Sequence, residues 1–167
     1  MKKFAAVIFL LTTAALGQSL PKGFDHFYNF EFNEAIAEFR KATQEAPQEA
    51  QRYNQLARAL LYREMLKSGM LESQLATGAN PVRRSKLEMP AKVEEEFTAA
   101  LAKAMELAQS RLNQSPQDAK ALYALCSSYG LRGNWNFLVK KAYMDALSDL
   151  STARKLEIGR ASCRERV

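Results

Sequence analysis

The sequence predicts an all-α chain, and three observations predict it. Glycine and proline are few, 7 and 5 in 167 residues, while alanine, leucine, glutamate and lysine outweigh valine and isoleucine, a balance that favours helix over strand. Apolar residues recur at helical spacing in successive segments. Proline, glycine and asparagine fall between those segments as stop and turn signals. Together these features predict six helices in three consecutive pairs.

The chain opens with Lys2 and Lys3, an apolar run from Phe4 to Leu16 broken only by Thr12 and Thr13, and small residues up to Gly17. This is the pattern of a secretory signal peptide over residues 1–17, with cleavage expected after Gly17. The apolar run is shorter than the roughly 20 residues that span a bilayer, and no cysteine follows to accept a lipid. The expected location is therefore periplasmic or secreted, with membrane contact only through this segment before cleavage.

The first helix is expected over about Pro21 to Asn29. The second starts at Asn33 as N-cap, carries Ala35, Ile36, Phe39 and Ala42 on one face, and stops before Pro47, since proline disfavours helix at the preceding residue. The third runs from about Gln48 to Ser68, with Tyr53, Leu56, Ala57, Leu60, Leu61 and Met65 on one face and Gly69 as its stop. An irregular excursion over the surface follows between Met70 and Met89, with Gly78, Asn80, Pro81 and the basic residues Arg83, Arg84 and Lys86.

The fourth helix begins at Pro90, with Glu94, Glu95 and Glu96 where the helix dipole favours negative charge. Its apolar face is Val93, Phe97, Leu101, Ala104, Ala108 and Leu112. After Ser115 and Pro116 comes a fifth helix through Leu122, Leu125, Cys126 and Tyr129, then a turn at Gly133 and Asn134, then a sixth helix from about Asn136 to Leu156.

The formal net charge of +6 owes part of its excess to Lys2 and Lys3 and part to the arginines near the C-terminus. What remains is a mild excess without a clustered basic stripe, so no nucleic-acid partner is expected. Of the two cysteines, Cys163 lies in the last few residues and Cys126 stands alone, so stability is expected to come from packing. The single histidine, His26, has no cysteine or histidine at ligand spacing, and no glycine-rich phosphate loop opens a helix. Neither a metal nor a cofactor is expected, and no enzymatic activity. His26 reads as a packed or hydrogen-bonded residue, Cys126 as a buried spacer and Glu94 to Glu96 as a dipole-matched helix start.

Gly23, Ala35, Phe39, Ala42 and Pro47 stand at the spacing of a small residue, an alanine twelve on, an aromatic, an alanine and a proline. Small residues let two antiparallel helices approach, an aromatic fills the space toward the next helix, and proline ends the unit. A second unit has Tyr53, Leu56 and Ala57, and closes with Ala104, Ala108 and Pro116 after an insertion of about thirty-five residues, with Arg111 in place of an alanine. A third has Leu122, Leu125, Cys126, Tyr129, Gly133 and Trp135, then Ala146, Leu150 and Ala153, and is about eight residues, or roughly two helical turns, longer than the pattern. In these positions the chain resembles the tetratricopeptide repeat. The segments at 28–30, 71–75 and 129–138 look like those of exported bacterial proteins of that class. Residues 157–167 resemble a translated sequencing adapter, and residues 18–156 are expected to be the repeat domain.

The resemblance implies an α-solenoid of antiparallel pairs whose inner face meets a protein or peptide partner. That face would present Phe24, Phe27, Tyr28, Asn54, Arg58, Leu61, Lys120, Tyr123 and Ser127. The aromatic group Phe24, Phe27, Tyr28, Phe30 and Phe32 is open to two readings, ligand surface or core. The leading functional expectation is a scaffold for protein association. A second reading makes the chain the docking or regulatory arm of a larger enzyme, and a third makes the aromatic group a carrier site for a lipid or small ligand.

Overall fold

A computed structural model describes residues 22–71 and 85–164, with side chains through Leu156. The expected signal peptide, the basic residues Arg83 and Arg84 and the 72–75 part of the 71–75 motif lie outside the described residues. Among the described residues the chain is helical throughout, with no strand: α1 (Lys22–Tyr28), α2 (Phe32–Glu45), α3 (Ala50–Lys67), α4 (Ala91–Gln114), α5 (Ala119–Trp135), a π-helical turn (Asn136–Lys140) and α6 (Tyr143–Arg164). The backbone of α6 thus continues as helix beyond Leu156, where the apolar rhythm ends. No described helix is long and apolar enough to cross a membrane.

Each helix packs on the next, and α3 also packs on α5. Neighbours run antiparallel. Arg63 near the end of α3 reaches Asn33 at the start of α2, Phe97 near the start of α4 meets Trp135 at the end of α5, and along α5 the contacts on α6 run backwards, from Ala153 at Cys126 to Leu150 at Gly133. The α3 to α5 contact is parallel, since Asn54 and Ala124 both lie near the start of their helices. The main core joins α2, α3 and α4 around Ile36, Leu60, Leu61 and Phe97, all 1% exposed or less. A second apolar cluster lies where the end of α4 meets the start of α5, around Ala108, Leu112, Ala121, Leu122 and Leu125.

Helix ends show where local chemistry departs from expectation. Asn33 does not cap α2; the helix begins a residue earlier at Phe32 behind Glu31, whose side chain makes no capping bond, and Asn33 Oδ1 accepts from Arg63 instead. Gly69 does stop α3: it sits at φ 71°, with the amides of Gly69 and Met70 donating back to Leu66 and Met65. The same paired bonds end α1, from Phe30 to Phe27 and from Glu31 to His26, but there the left-handed position is filled by Phe30 at φ 64°.

The expected turn at Gly133 and Asn134 is not a turn. Both residues lie inside α5, and the bend comes after the π-helical turn, where Lys141 adopts φ 56°. Gly133 serves packing: a Cβ there would stand 3.1 Å from Leu150 Cγ, so the missing side chain lets α6 approach. Ala146 and Ala153 are buried, and Asp149 accepts from both Arg132 and Asn136. The additional residues of the third unit therefore form the π-helical turn and the bend.

The excursion after Met70 is not wholly a surface feature. Leu87 is 1% exposed and donates its amide to Leu138 O at 2.9 Å, which fastens the returning segment of the excursion to the π-helical turn.

Asp118 caps α5, accepting from the amides of Lys120 and Ala121, and Arg111 meets its other oxygen. The amide of Ala121 is the main reason that its carboxyl ionises below the ordinary carboxylate range. A lowered folded-state value means stability that is present above the ordinary range and is lost as pH falls through the folded value. Asp118→Ala is expected to destabilise the protein by about 1 kcal/mol at neutral pH, with a smaller difference in acid, as read by urea unfolding at the two pH values.

Candidate binding cavity

A cavity of about 640 Å³ gathers residues from one side of α1, α3 and α5. Phe27 and Tyr28 come from the end of α1, Phe30 and Phe32 from the link into α2, Arg58 and Tyr62 from successive turns of α3. Ser127, Gly130, Leu131 and Asn134 recur at helical spacing on α5, while Leu71 and Leu150 complete the rim.

Aromatic rings form one wall. Phe27 stands edge-on to Phe32 at 5.3 Å between centroids and 5.4 Å from Tyr62, and Phe30 is edge-on to Phe32 at 6.0 Å. Phe32 is buried and anchors the group, whereas Tyr28 and Phe30 are 63% and 61% exposed. Phe30 holds its place at a cost, because a left-handed backbone disfavours a residue with a Cβ by about 1–2 kcal/mol. Phe30→Gly is expected to leave the fold as stable or to stabilise it by up to about 1 kcal/mol, the upper limit being set by the entropy that glycine loses on folding. A shift in urea midpoint to lower denaturant would contradict this.

Among the described residues Arg58 brings the one charge into the lining. It is half-buried, no lining residue is acidic, and it pairs with no carboxylate among the described residues. Directly beneath, a buried polar bridge fixes α3 to α5. Asn54 Nδ2 donates to Ala124 O at 2.8 Å, and Ser128 Oγ donates to Asn54 Oδ1 at 2.7 Å. Asn54 lies one turn before Arg58 and Ser128 adjoins Ser127, so this bridge sets the spacing of the two cavity walls.

Of the residues expected on the inner face, Phe27, Tyr28, Arg58 and Ser127 come together in the cavity. Asn54 and Leu61 do not present a surface; both are fully buried, because the chain uses Asn54 to satisfy polar groups of α5 and Leu61 to fill the main core. Phe24 turns inward, edge-on to Phe39 at 5.3 Å. Lys120 and Tyr123 are exposed on the Ser127 side of α5 but lie outside the cavity. Tyr62, Gly130 and Asn134 were not anticipated, although Tyr62 stands four residues after Arg58, and Gly130 and Asn134 stand three and seven after Ser127, so the helical period carried the signal.

The expected packing positions fall as follows. Gly23 and Ala35 are buried, and a Cβ on Gly23 would lie 2.6 Å from Phe39 Cε1, so the Phe39 ring closes its own helix pair. Ala42 is half-buried, and Pro47 is exposed in the turn, its carbonyl accepting from Tyr53 Oη at 3.1 Å. Cys126 is half-buried, not fully buried as expected, and its Sγ donates to the Ala153 carbonyl at 3.3 Å where α5 meets α6. Tyr129 is half-buried beneath the Arg132 guanidinium, 4.8 Å from its ring centroid.

His26 pairs with Glu31 at 2.6 Å, and that hydrogen bond raises its pKa. Among the described residues no group of three or more histidine, cysteine, aspartate or glutamate side chains could hold a metal ion. In comparisons with known proteins, no protein-family model, no curated protein and no solved structure matches this chain.

Proposed function

We propose that the chain is an exported repeat protein of tetratricopeptide type that holds a partner protein on the face formed by α1, α3 and α5, and that it performs no catalysis. The observation that carries this reading is the cavity on that face, walled by aromatic rings and Arg58. Two further features support the repeat assignment. Helices pair antiparallel in succession while α3 lies parallel to α5, and small residues occupy the close approaches at Gly23, Gly133 and Ala146. Aromatic and arginine side chains are the residue types that dominate protein recognition. Export rests on the pattern of residues 1–17.

A photo-crosslinking aromatic amino acid placed at Phe30, in the native host, tests the proposal. It is expected to capture a discrete protein that the same probe at Lys41, an exposed residue of α2, does not capture. Equal labelling from both positions, or none from Phe30, would count against a partner on this face.

A further inference from the structure

The geometry points to a second occupant for this face: we propose that the cavity is a site for a free aliphatic monocarboxylate, its chain against the aromatic wall and its carboxylate on Arg58. The inference stands apart from the partner reading, since it concerns the cavity alone. Its volume of about 640 Å³ lies within the range of about 300–1,000 Å³ found for small-molecule pockets. The wall is mostly carbon, with Phe27, Phe30, Phe32 and Leu131 around the space. Among the described residues the guanidinium has no acid beside it in this wall, and its planar pair of donors matches a carboxylate.

The charge sets the ligand's sign and number. A cation would be repelled, a neutral chain would leave Arg58 without a counter-ion, and a polyanion would find a single positive charge in the lining. Extent sets its length: Lys120 and Tyr123 lie outside, so the site is compact and does not run along α5 as a channel for an extended peptide would. Gly130 keeps the space open: a Cβ there would meet nothing within 4 Å, so a side chain would enter the cavity without striking the fold.

Titration calorimetry of the full chain with monomeric laurate, lauryl alcohol and laurylamine tests the proposal. Laurate is expected to bind saturably and roughly tenfold or more tightly than the amine, a difference that a charge-assisted pair supplies. Arg58→Gln is expected to erase the preference for laurate while the alcohol's binding is kept or tightened, since no unpaired guanidinium then faces its chain. Gly130→Leu is expected to abolish binding of both with thermal stability maintained or raised, because leucine is a better helix former than glycine. Equal affinity for acid and amine, laurate binding that survives Gly130→Leu, or association only with anionic phospholipid vesicles would each overturn the assignment. Laurate binding without a Phe30 crosslink would remove the partner reading alone, and the reverse outcome would remove this one alone.

Discussion

Phe97→Ala is expected to lower the unfolding free energy by about 3–5 kcal/mol, the range for deleting a large buried aromatic side chain. Phe97 is 0% exposed on α4, belongs to the main core with Leu60 and Leu61 of α3, and meets the Trp135 ring of α5 at 6.1 Å between centroids. Three helices therefore lose contact with one truncation, and a closely packed interior collapses only partly into the space. Urea unfolding measures it as a lower midpoint with an unchanged slope, which marks a change of stability and not of the denatured state. A loss of less than about 1 kcal/mol would mean that α3, α4 and α5 do not share the core described, because full burial of an aromatic cannot be that cheap to remove.

Gly23→Ala is expected to cost about 1–3 kcal/mol, although alanine is the better helix former, because the added methyl overpacks a filled space. It would stand 2.6 and 2.8 Å from two carbons of the Phe39 ring, which is itself 3% exposed and edge-on to Phe24. Either the Phe39 ring, packed edge-on against Phe24, or α1 itself must shift. Because α1 also carries Phe27 and Tyr28 of the cavity, the same substitution is expected to weaken any ligand held there. Full stability in the Gly23→Ala chain would show that α1 does not sit on Phe39. Gly130→Leu, which enters open space on α5, is the contrasting case.

Much of the helical plan was legible in the sequence. Apolar spacing located α2, α3 and α4, Pro47 and Gly69 marked two of their ends, and the small residues Gly23, Ala146 and Ala153 marked where helices close on one another. Gly133 with Asn134 misled, because glycine permits a turn and a close helix approach alike, and only the position of Leu150 selects between them. Phe30 in a left-handed stop ran against the ordinary preference for glycine, and an aromatic there carries no local sign of its backbone.

The site was legible by half, for a related reason. Phe27, Tyr28, Arg58 and Ser127 lie on the faces that periodicity assigned. Asn54 was read as surface because a polar side chain is ordinarily solvated. Its partners, Ala124 and Ser128, are 70 and 74 residues away, and no local pattern reports a bond of that reach. Lys120 and Tyr123 share the Ser127 side of α5, but the cavity is set by the link between α1 and α2, which approaches only the later turns of α5.

The placement of α3 beside α5 decides whether Arg58 and Ser127 face one cavity, and the bond between Asn54 and Ser128 probes it. A double-mutant cycle with Asn54→Ala and Ser128→Ala, read by urea unfolding, is predicted to give a coupling of about 1 kcal/mol, within the range for side chains in direct contact. Additivity to within about 0.3–0.5 kcal/mol, as for distant sites, would place the two helices apart and remove the cavity with them.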